Sequence, residues 1–306
     1  MIGVLAVLSL IGCGSSTKTA PAPMSVNLIH AAPLLDGNTF DGATGERVSL
    51  TDIVSRAGSS DVVILGETHN DAEAHAIQRH LTEVLLNERP NGALALEMLE
   101  RDEQVLVDDY LDGLITAEEF AKLTNSTSWA GAGTWDAWYQ PIVEAAEFPG
   151  AGIIAANAPR RYVKLARTDG YDALRKLPAD RARFIAIPDR PITGKYVDQF
   201  REAMQFGDDD GIHTGMDEEM LESMMRSQFV WDATMADSIA RARAAGAAPV
   251  ILLVGQFHTD FEGGTVQYLR EARPTDRILT ISMQPVASDS LREEDRGRAD
   301  LVVYTK

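Results

Sequence analysis

Two histidines stand at equivalent places in two distant stretches of the chain, Gly66-Glu67-Thr68-His69 and Gly255-Gln256-Phe257-His258. Each motif closes a short apolar run, Val62-Val63-Ile64-Leu65 in one case and Val250-Ile251-Leu252-Leu253-Val254 in the other. A neutral imidazole can act as a general base or bind a metal, and a carboxylate nearby can orient it, share the metal or take a proton. Other polar residues follow apolar runs in the same way: Glu97 after Ala93-Leu94-Ala95-Leu96, and Asn157 and Arg160 after Gly152-Ile153-Ile154-Ala155-Ala156. Arginine adds a planar fork that suits a carboxylate. A single histidine at a strand end is usually a satisfied structural group. Four runs that each end in ionisable or amide groups point instead to a shared site built from Glu67, His69, Glu97, Asn157, Arg160, Gln256 and His258.

Short runs rich in β-branched residues read as buried parallel strands, and the glycine after each lets the backbone turn so that the polar residues sit at the strand's carboxyl end. In open α/β sheets that edge is where ligands bind. Helical spacing separates the runs: residues 71–87 carry Ala74, Ile77, Leu81, Val84 and Leu85 before Pro90, and residues 101–123 and 137–148 continue the pattern. Ile278-Leu279-Thr280-Ile281-Ser282 supplies a fifth strand. The alternation predicts an α/β fold, a three-layer parallel sheet core with helices on both faces. Residues 162–237 lack a strand and read as a helical lid insertion at the carboxyl rim, interrupted by Gly207-Asp208-Asp209-Asp210-Gly211. That acidic run lacks the spaced ligands of a calcium loop and reads as a solvated turn. The methionines of the last lid helix, among them Met220, Met224, Met225 and Met235, read as core filler. His75 and His80, five apart on the first helix, do not share a face and read as surface residues, and His30 has no identifiable partner.

Residues 1–12 are apolar or small, too few to span a bilayer, and suit a lipoprotein signal peptide ending at Cys13, the one cysteine of the chain. Lipidation of Cys13 explains a lone cysteine at that place, and an ordinary secretion signal with a chance cysteine is the alternative. Residues 13–26 follow as a lipidated cysteine and flexible linker, and residues 27–306 form the domain. With no second cysteine there is no disulfide framework and no thiolate cluster. A formal charge of -18 excludes nucleic acid or an anionic lipid surface as the natural partner. The protein is expected in the cell envelope, held to a membrane through the lipid anchor.

Gly66-Glu67-Thr68-His69, Leu96-Glu97-Met98, Trp135-Asp136-Ala137-Trp138-Tyr139, Ala156-Asn157-Ala158-Pro159-Arg160, the run Gln228-Phe229-Val230-Trp231-Asp232-Ala233-Thr234-Met235-Ala236 and Gly255-Gln256-Phe257-His258 together resemble the ChaN-like haem-binding lipoproteins. The order and spacing of the six motifs carry the resemblance, over about residues 65–285. It implies an outer-membrane-associated lipoprotein that binds haem for iron uptake, with an α/β core, a helical lid, haem-mediated homodimers and a haem receptor or transporter as further partner. Haem requires an axial ligand, an apolar slot and cations for its propionates. Tyr196, His213 and Tyr139 are the candidate ligands, with Arg160 for a propionate. Tyr196 reads equally as an ordinary core or surface tyrosine, and His213 as a solvated loop histidine.

The pattern of two Gly-x-x-His motifs and a glutamate is also similar to that of erythromycin-esterase-like hydrolases and the Tiki/TraB metalloproteases. In that alternative Glu67, His69 and His258 hold a divalent transition metal, and Glu67, His69, Glu97, Arg160 and His258 carry a metal-dependent esterase or peptidase reaction, with Arg160 steadying an oxyanion. The haem reading expects binding to survive His69→Ala or His258→Ala and to fail when Tyr196 or His213 is removed. The hydrolase reading expects the reverse dependence.

Overall fold

The computed structural model describes residues 31–205 and 217–306. Cys13, His30, His213 and the acidic run 208–210 lie outside the described residues, as does the expected signal and linker region.

The sheet has seven strands: β1 (Thr39–Asp41), β2 (Val62–Glu67), β3 (Ala93–Glu100), β4 (Gly152–Asn157), β5 (Val250–Gly255), β6 (Ile278–Gln284) and β7 (Leu301–Tyr304). Their spatial order is β1-β7-β6-β2-β5-β3-β4. All neighbours run parallel except β1, which lies antiparallel to β7 at one edge. The five strands expected from the sequence are present, and β1 and β7 add to them.

Side chains alternate across the sheet, as a period of two requires. Val63, Leu65, Leu94, Leu96, Ile251 and Leu253 enter one core, covered by the helices Leu50–Gly58, Ala72–Glu88 and Gln140–Glu147. Val62, Ile64, Ala95, Val250, Leu252 and Val254 enter the other, beneath the helices Lys195–Gln205, Glu218–Ala244 and Gly264–Ala272. A strand buried on both faces must be apolar at every position, which is why the runs lacked polar alternation.

Among the described residues no strand falls between β4 and β5. Helices fill that interval, from Arg160–Asp169 to the 27-residue helix Glu218–Ala244. The helix Lys195–Gln205 sets Tyr196 and Phe200 against Phe257, inside the second Gly-x-x-His motif, with ring centroids at 5.2 and 5.9 Å. The lid thus packs on the carboxyl rim. At the far edge β4 is covered by one side chain: Gln104 donates to Ile153 O at 3.0 Å and accepts from Ala155 N at 2.8 Å, satisfying backbone groups an edge strand leaves open.

Candidate functional site

β2 and β5 are parallel neighbours in register from Val62 opposite Val250 to Glu67 opposite Gly255, so the two motifs leave the sheet side by side. The motif glycines matter through the side chain they lack and not through a sharp turn. Gly255 has φ -57 and ψ 129, open to any residue. A Cβ there would sit 3.2 Å from His69 Nε2 and 3.5 Å from Glu97 Oε2, and one on Gly66 would sit 3.0 Å from Thr259 Oγ1. Glycine therefore lets the two strand ends close on each other.

On one side of the rim, Glu67 is fully buried as the last residue of β2. Its Oε1 accepts from the Tyr139 hydroxyl at 2.6 Å and pairs with His69 Nδ1 at 2.8 Å. A π-helical turn, Trp135–Tyr139, delivers that tyrosine, and such turns re-aim side chains that a regular helix would place elsewhere. His75 lies behind: its Nδ1 is 3.2 Å from Glu67 Oε2 and 3.0 Å from Gln78 Oε1, its Nε2 is 3.2 Å from His69 O, and its ring stacks on Trp138 at 4.8 Å. The surface reading of His75 is therefore corrected. Its five-residue separation from His80 was uninformative, whereas Gln78, three positions on, shares its inward face.

The other side repeats the arrangement. Asp232, buried on the long helix Glu218–Ala244, accepts from the Tyr196 hydroxyl on Oδ2 at 2.6 Å and pairs through Oδ1 with His258 Nδ1 at 2.8 Å. Thr265 Oγ1 also donates to Oδ1 at 2.8 Å. The first turn of the helix Gly264–Ala272 closes over this carboxylate so tightly that a Cβ on Gly264 would lie 2.1 Å from Oδ2. A carboxylate behind a histidine fixes its tautomer and leaves the outer nitrogen for chemistry.

The outer nitrogen of His258 faces Glu97, and the charge of Glu97 also acts on His69. One of the Glu97 oxygens accepts from Gly255 N at 2.6 Å, and the other lies 3.7 Å from His258 Nε2. Glu97 belongs to β3 itself, at an irregularity in the pairing with β4 between Leu96 and Glu100, and does not follow the strand's end. Bulges of this kind redirect a side chain. Asn157 supports that segment, donating to Glu97 O at 2.9 Å.

The electrostatics follow from this packing. Burial works against the charge on His258, but Asp232 and Glu97 outweigh it and push it up to about 9. Burial likewise opposes protonation of His69, and the bond from Glu67 together with the charge of Glu97 raises it. Burial raises Glu67, yet His75 and His69 together bring it below the usual carboxylate range. Burial first, and then the neighbouring carboxylates, hold the Tyr139 and Tyr196 hydroxyls protonated far above neutral pH. The rim thus holds two imidazoles whose surroundings favour the protonated form, with Glu97 against His258.

Glu67, His69, Glu97 and His258 are thus brought together, and Gln256 joins the rim, donating to Thr68 Oγ1 at 3.1 Å. Arg160 stands apart on the surface, half exposed, 3.7 Å from Glu100 and 4.8 Å over the Trp129 ring. The same Trp129 meets His69 edge-on at 5.9 Å. Tyr139 and Tyr196 reach the site behind the histidines, their hydroxyls committed to carboxylates. Among the described residues no group of three or more His, Cys, Asp or Glu is arranged to hold a metal ion. Glu67, assigned to such a set with His69 and His258, lies on the inner nitrogen of His69 and orients it. Asp232 and Thr265 escaped the sequence reading. Asp232 lies in the run Gln228 to Ala236 that carries the family resemblance, and as an acid among Phe229, Val230, Ala233 and Met235 it could have been singled out there.

A family model described as haem-binding uptake, Tiki superfamily, ChaN matches residues 53–269. Among solved structures, that of cofacial haem binding to ChaN of Campylobacter jejuni superimposes with a TM-score of 0.65 at 21% identity, over 87% of this chain and 95% of its own, a likeness of fold. The type III effector HopBA1 gives a TM-score of 0.45 at 15% identity over 89% of this chain and 97% of its own. An erythromycin esterase variant in its open conformation gives 0.44 at 14% identity over 80% and 76%. No curated protein matches the chain in sequence.

Proposed function

We propose that this chain, which belongs to the ChaN family of haem-binding uptake proteins in the Tiki superfamily, binds haem at the carboxyl rim of its sheet and serves iron or haem uptake as a lipid-anchored protein of the cell envelope. The observation that carries this reading is the run of adjacent side chains His69, Trp129 and Arg160, which passes from the partly buried rim to the surface. An imidazole, an aromatic wall and a half-exposed guanidinium lie next to one another, with separations of 5.9 and 4.8 Å. Haem as cargo brings an iron that accepts a nitrogen donor and propionates that accept a cation, and these residues match that demand. Tyr139 and Tyr196 support the site from behind, since as phenolate ligands each would first have to leave its carboxylate. His213 remains a further donor in the proposal, outside the described residues.

Anchoring through Cys13, placement at the outer membrane, a haem-bridged homodimer and transfer to a receptor or transporter complete the proposal. No helix of the described residues is long and apolar enough to cross a membrane. The decisive experiment titrates ferric haem into the domain from Ser25 onward, with bound metals quantified first. A saturating Soret shift in metal-free protein, weakened in His69→Ala and Arg160→Ala, supports haem as cargo; this reverses the sequence expectation that binding survives His69→Ala and depends on Tyr196, because the Tyr196 hydroxyl is engaged by Asp232. Absence of a saturable shift refutes it.

A second reading rests on the two tyrosine–carboxylate–histidine relays at the rim, one of which ends 3.7 Å from Glu97. Oriented imidazoles beside a carboxylate suit hydrolysis of an ester or amide, with His258 as proton donor. A metal-dependent form would need Glu97 with His69 and His258 to gather around a divalent transition metal. Ester hydrolysis lost in Glu97→Gln and His258→Ala separates this reading from haem carriage, and loss or survival of the wild-type activity with chelator separates the metal-dependent form from the metal-free one.

A further inference from the structure

A cavity of about 590 Å³, with neither Gly-x-x-His motif on its lining, opens between the β4 edge, the second half of the helix Glu218–Ala244 and the segment after the helix Ala179–Ala182. Three arginines line it, Arg101, Arg183 and Arg241, in a chain whose formal charge is -18. Phe184, Ile154 and Val105, the last 59% exposed, supply an apolar wall.

The arginines are not equally occupied. Arg101 is buried; its Nε donates to Ser238 Oγ at 2.8 Å, and its Nη2 donates to Thr234 O at 2.7 Å and pairs with Asp237 at 2.8 Å. Its Nη1, also buried, has no partner among the described residues. Arg241 shares the same Asp237 at 2.8 Å. Arg183 lies 4.6 Å over the Phe184 ring, and among the described residues no carboxylate pairs with it. Asp102, also lining the cavity, is paired through Oδ2 with Arg161 at 2.5 Å, while its buried Oδ1 has no partner among the described residues. The lining thus carries three arginines and one acid, and Arg183 is the arginine left without a carboxylate among the described residues. A buried guanidinium nitrogen without a partner carries a desolvation cost that an acceptor would relieve.

We infer that this cavity is a second binding site, for an organic anion with a carboxylate head and an apolar body. The forked guanidiniums match a planar carboxylate, while Phe184, Ile154 and Val105 match the body. None of the residues lining the cavity is a histidine, tyrosine, cysteine or methionine, so haem iron would find no axial donor there. The site is independent of the function proposed for the rim.

The test titrates octanoate, and octanamide as its neutral isostere, into the full chain by calorimetry. Octanoate is expected to saturate one site, and octanamide to bind at least roughly tenfold more weakly. The double variant Arg183→Gln, Arg241→Gln, which leaves the buried Arg101 in place, is expected to lose octanoate by a similar factor while His69→Ala retains it. Equal binding of octanamide, unchanged binding in the double variant, or uptake that does not saturate would each overturn the assignment.

Discussion

Tyr196 and His258 share one carboxylate: Asp232 receives the phenol on Oδ2 at 2.6 Å and faces the imidazole through Oδ1 at 2.8 Å. The tyrosine therefore acts on the rim through the acid, by fixing where the charge that orients His258 can sit. Glu67 plays the same part for Tyr139 and His69 with a single oxygen, Oε1.

Removing the Asp232 charge strands a buried imidazole. Asp232→Asn is expected to destabilise the fold by on the order of 3 kcal/mol, because the remaining partner of a buried pair bears the full desolvation penalty. Tyr196→Phe deletes one hydrogen bond and should cost about 1–2 kcal/mol. Chemical denaturation of both variants measures the difference, and equal losses would contradict the central place given to the carboxylate.

Haem titration separates ligand from support. Tyr196→Phe is expected to keep a saturable Soret shift and to lower Tm, since its hydroxyl is already spent on Asp232. Arg160→Ala, in which no buried contact is lost, should weaken haem several-fold with Tm unchanged. A spectrum abolished by Tyr196→Phe at unchanged Tm would instead make the phenol the iron ligand.

Gly264 and Gly58 make a matched pair. At Gly264 an alanine would drive its Cβ into Asp232, whereas at Gly58, the end of the helix Leu50–Gly58, a Cβ meets nothing within 4 Å. Gly58→Ala should be neutral or stabilising by up to about 1 kcal/mol. Gly264→Ala should destabilise and free the His258 ring, visible as a change in its NMR titration. Similar Tm values for the two would refute the close approach.

Stability should also depend on pH in a defined direction. His258 is raised to about 9 in the folded state, against about 6.5 for an unfolded histidine. Its contribution is therefore fully present below about pH 6.5 and is lost as pH rises through about 9, amounting to on the order of 3 kcal/mol. His258→Gln should flatten that part of the stability profile measured by urea denaturation, and an unchanged slope would rule the histidine out as its source.

The sheet was legible where burial on both faces forces unbroken apolar runs, as in Val62 to Leu65 and Val250 to Val254. β1 and β7 were not, because three and four residues make no pattern of their own and pair only across the whole domain. His69, Glu97 and His258 could be read because they follow such runs. Asp232 could not: helical spacing tells which residues share a face, but only the docked helix shows that this face meets His258. His75 was misread for a related reason, since a polar residue on an inward face is explained by partners on another element.

The pairing order has a bearing on how the chain is made. β2 lies inside the sheet, yet both of its neighbours, β5 and β6, come from residues 250–284. During synthesis this apolar strand emerges early and stays open along both edges until most of the chain has followed. Such long-range pairing slows folding and leaves an edge that can join other chains. Nascent copies of this protein should thus depend on a holding chaperone more than an equally long protein of local topology, and any truncation before residue 250 should yield aggregates and not a smaller folded core.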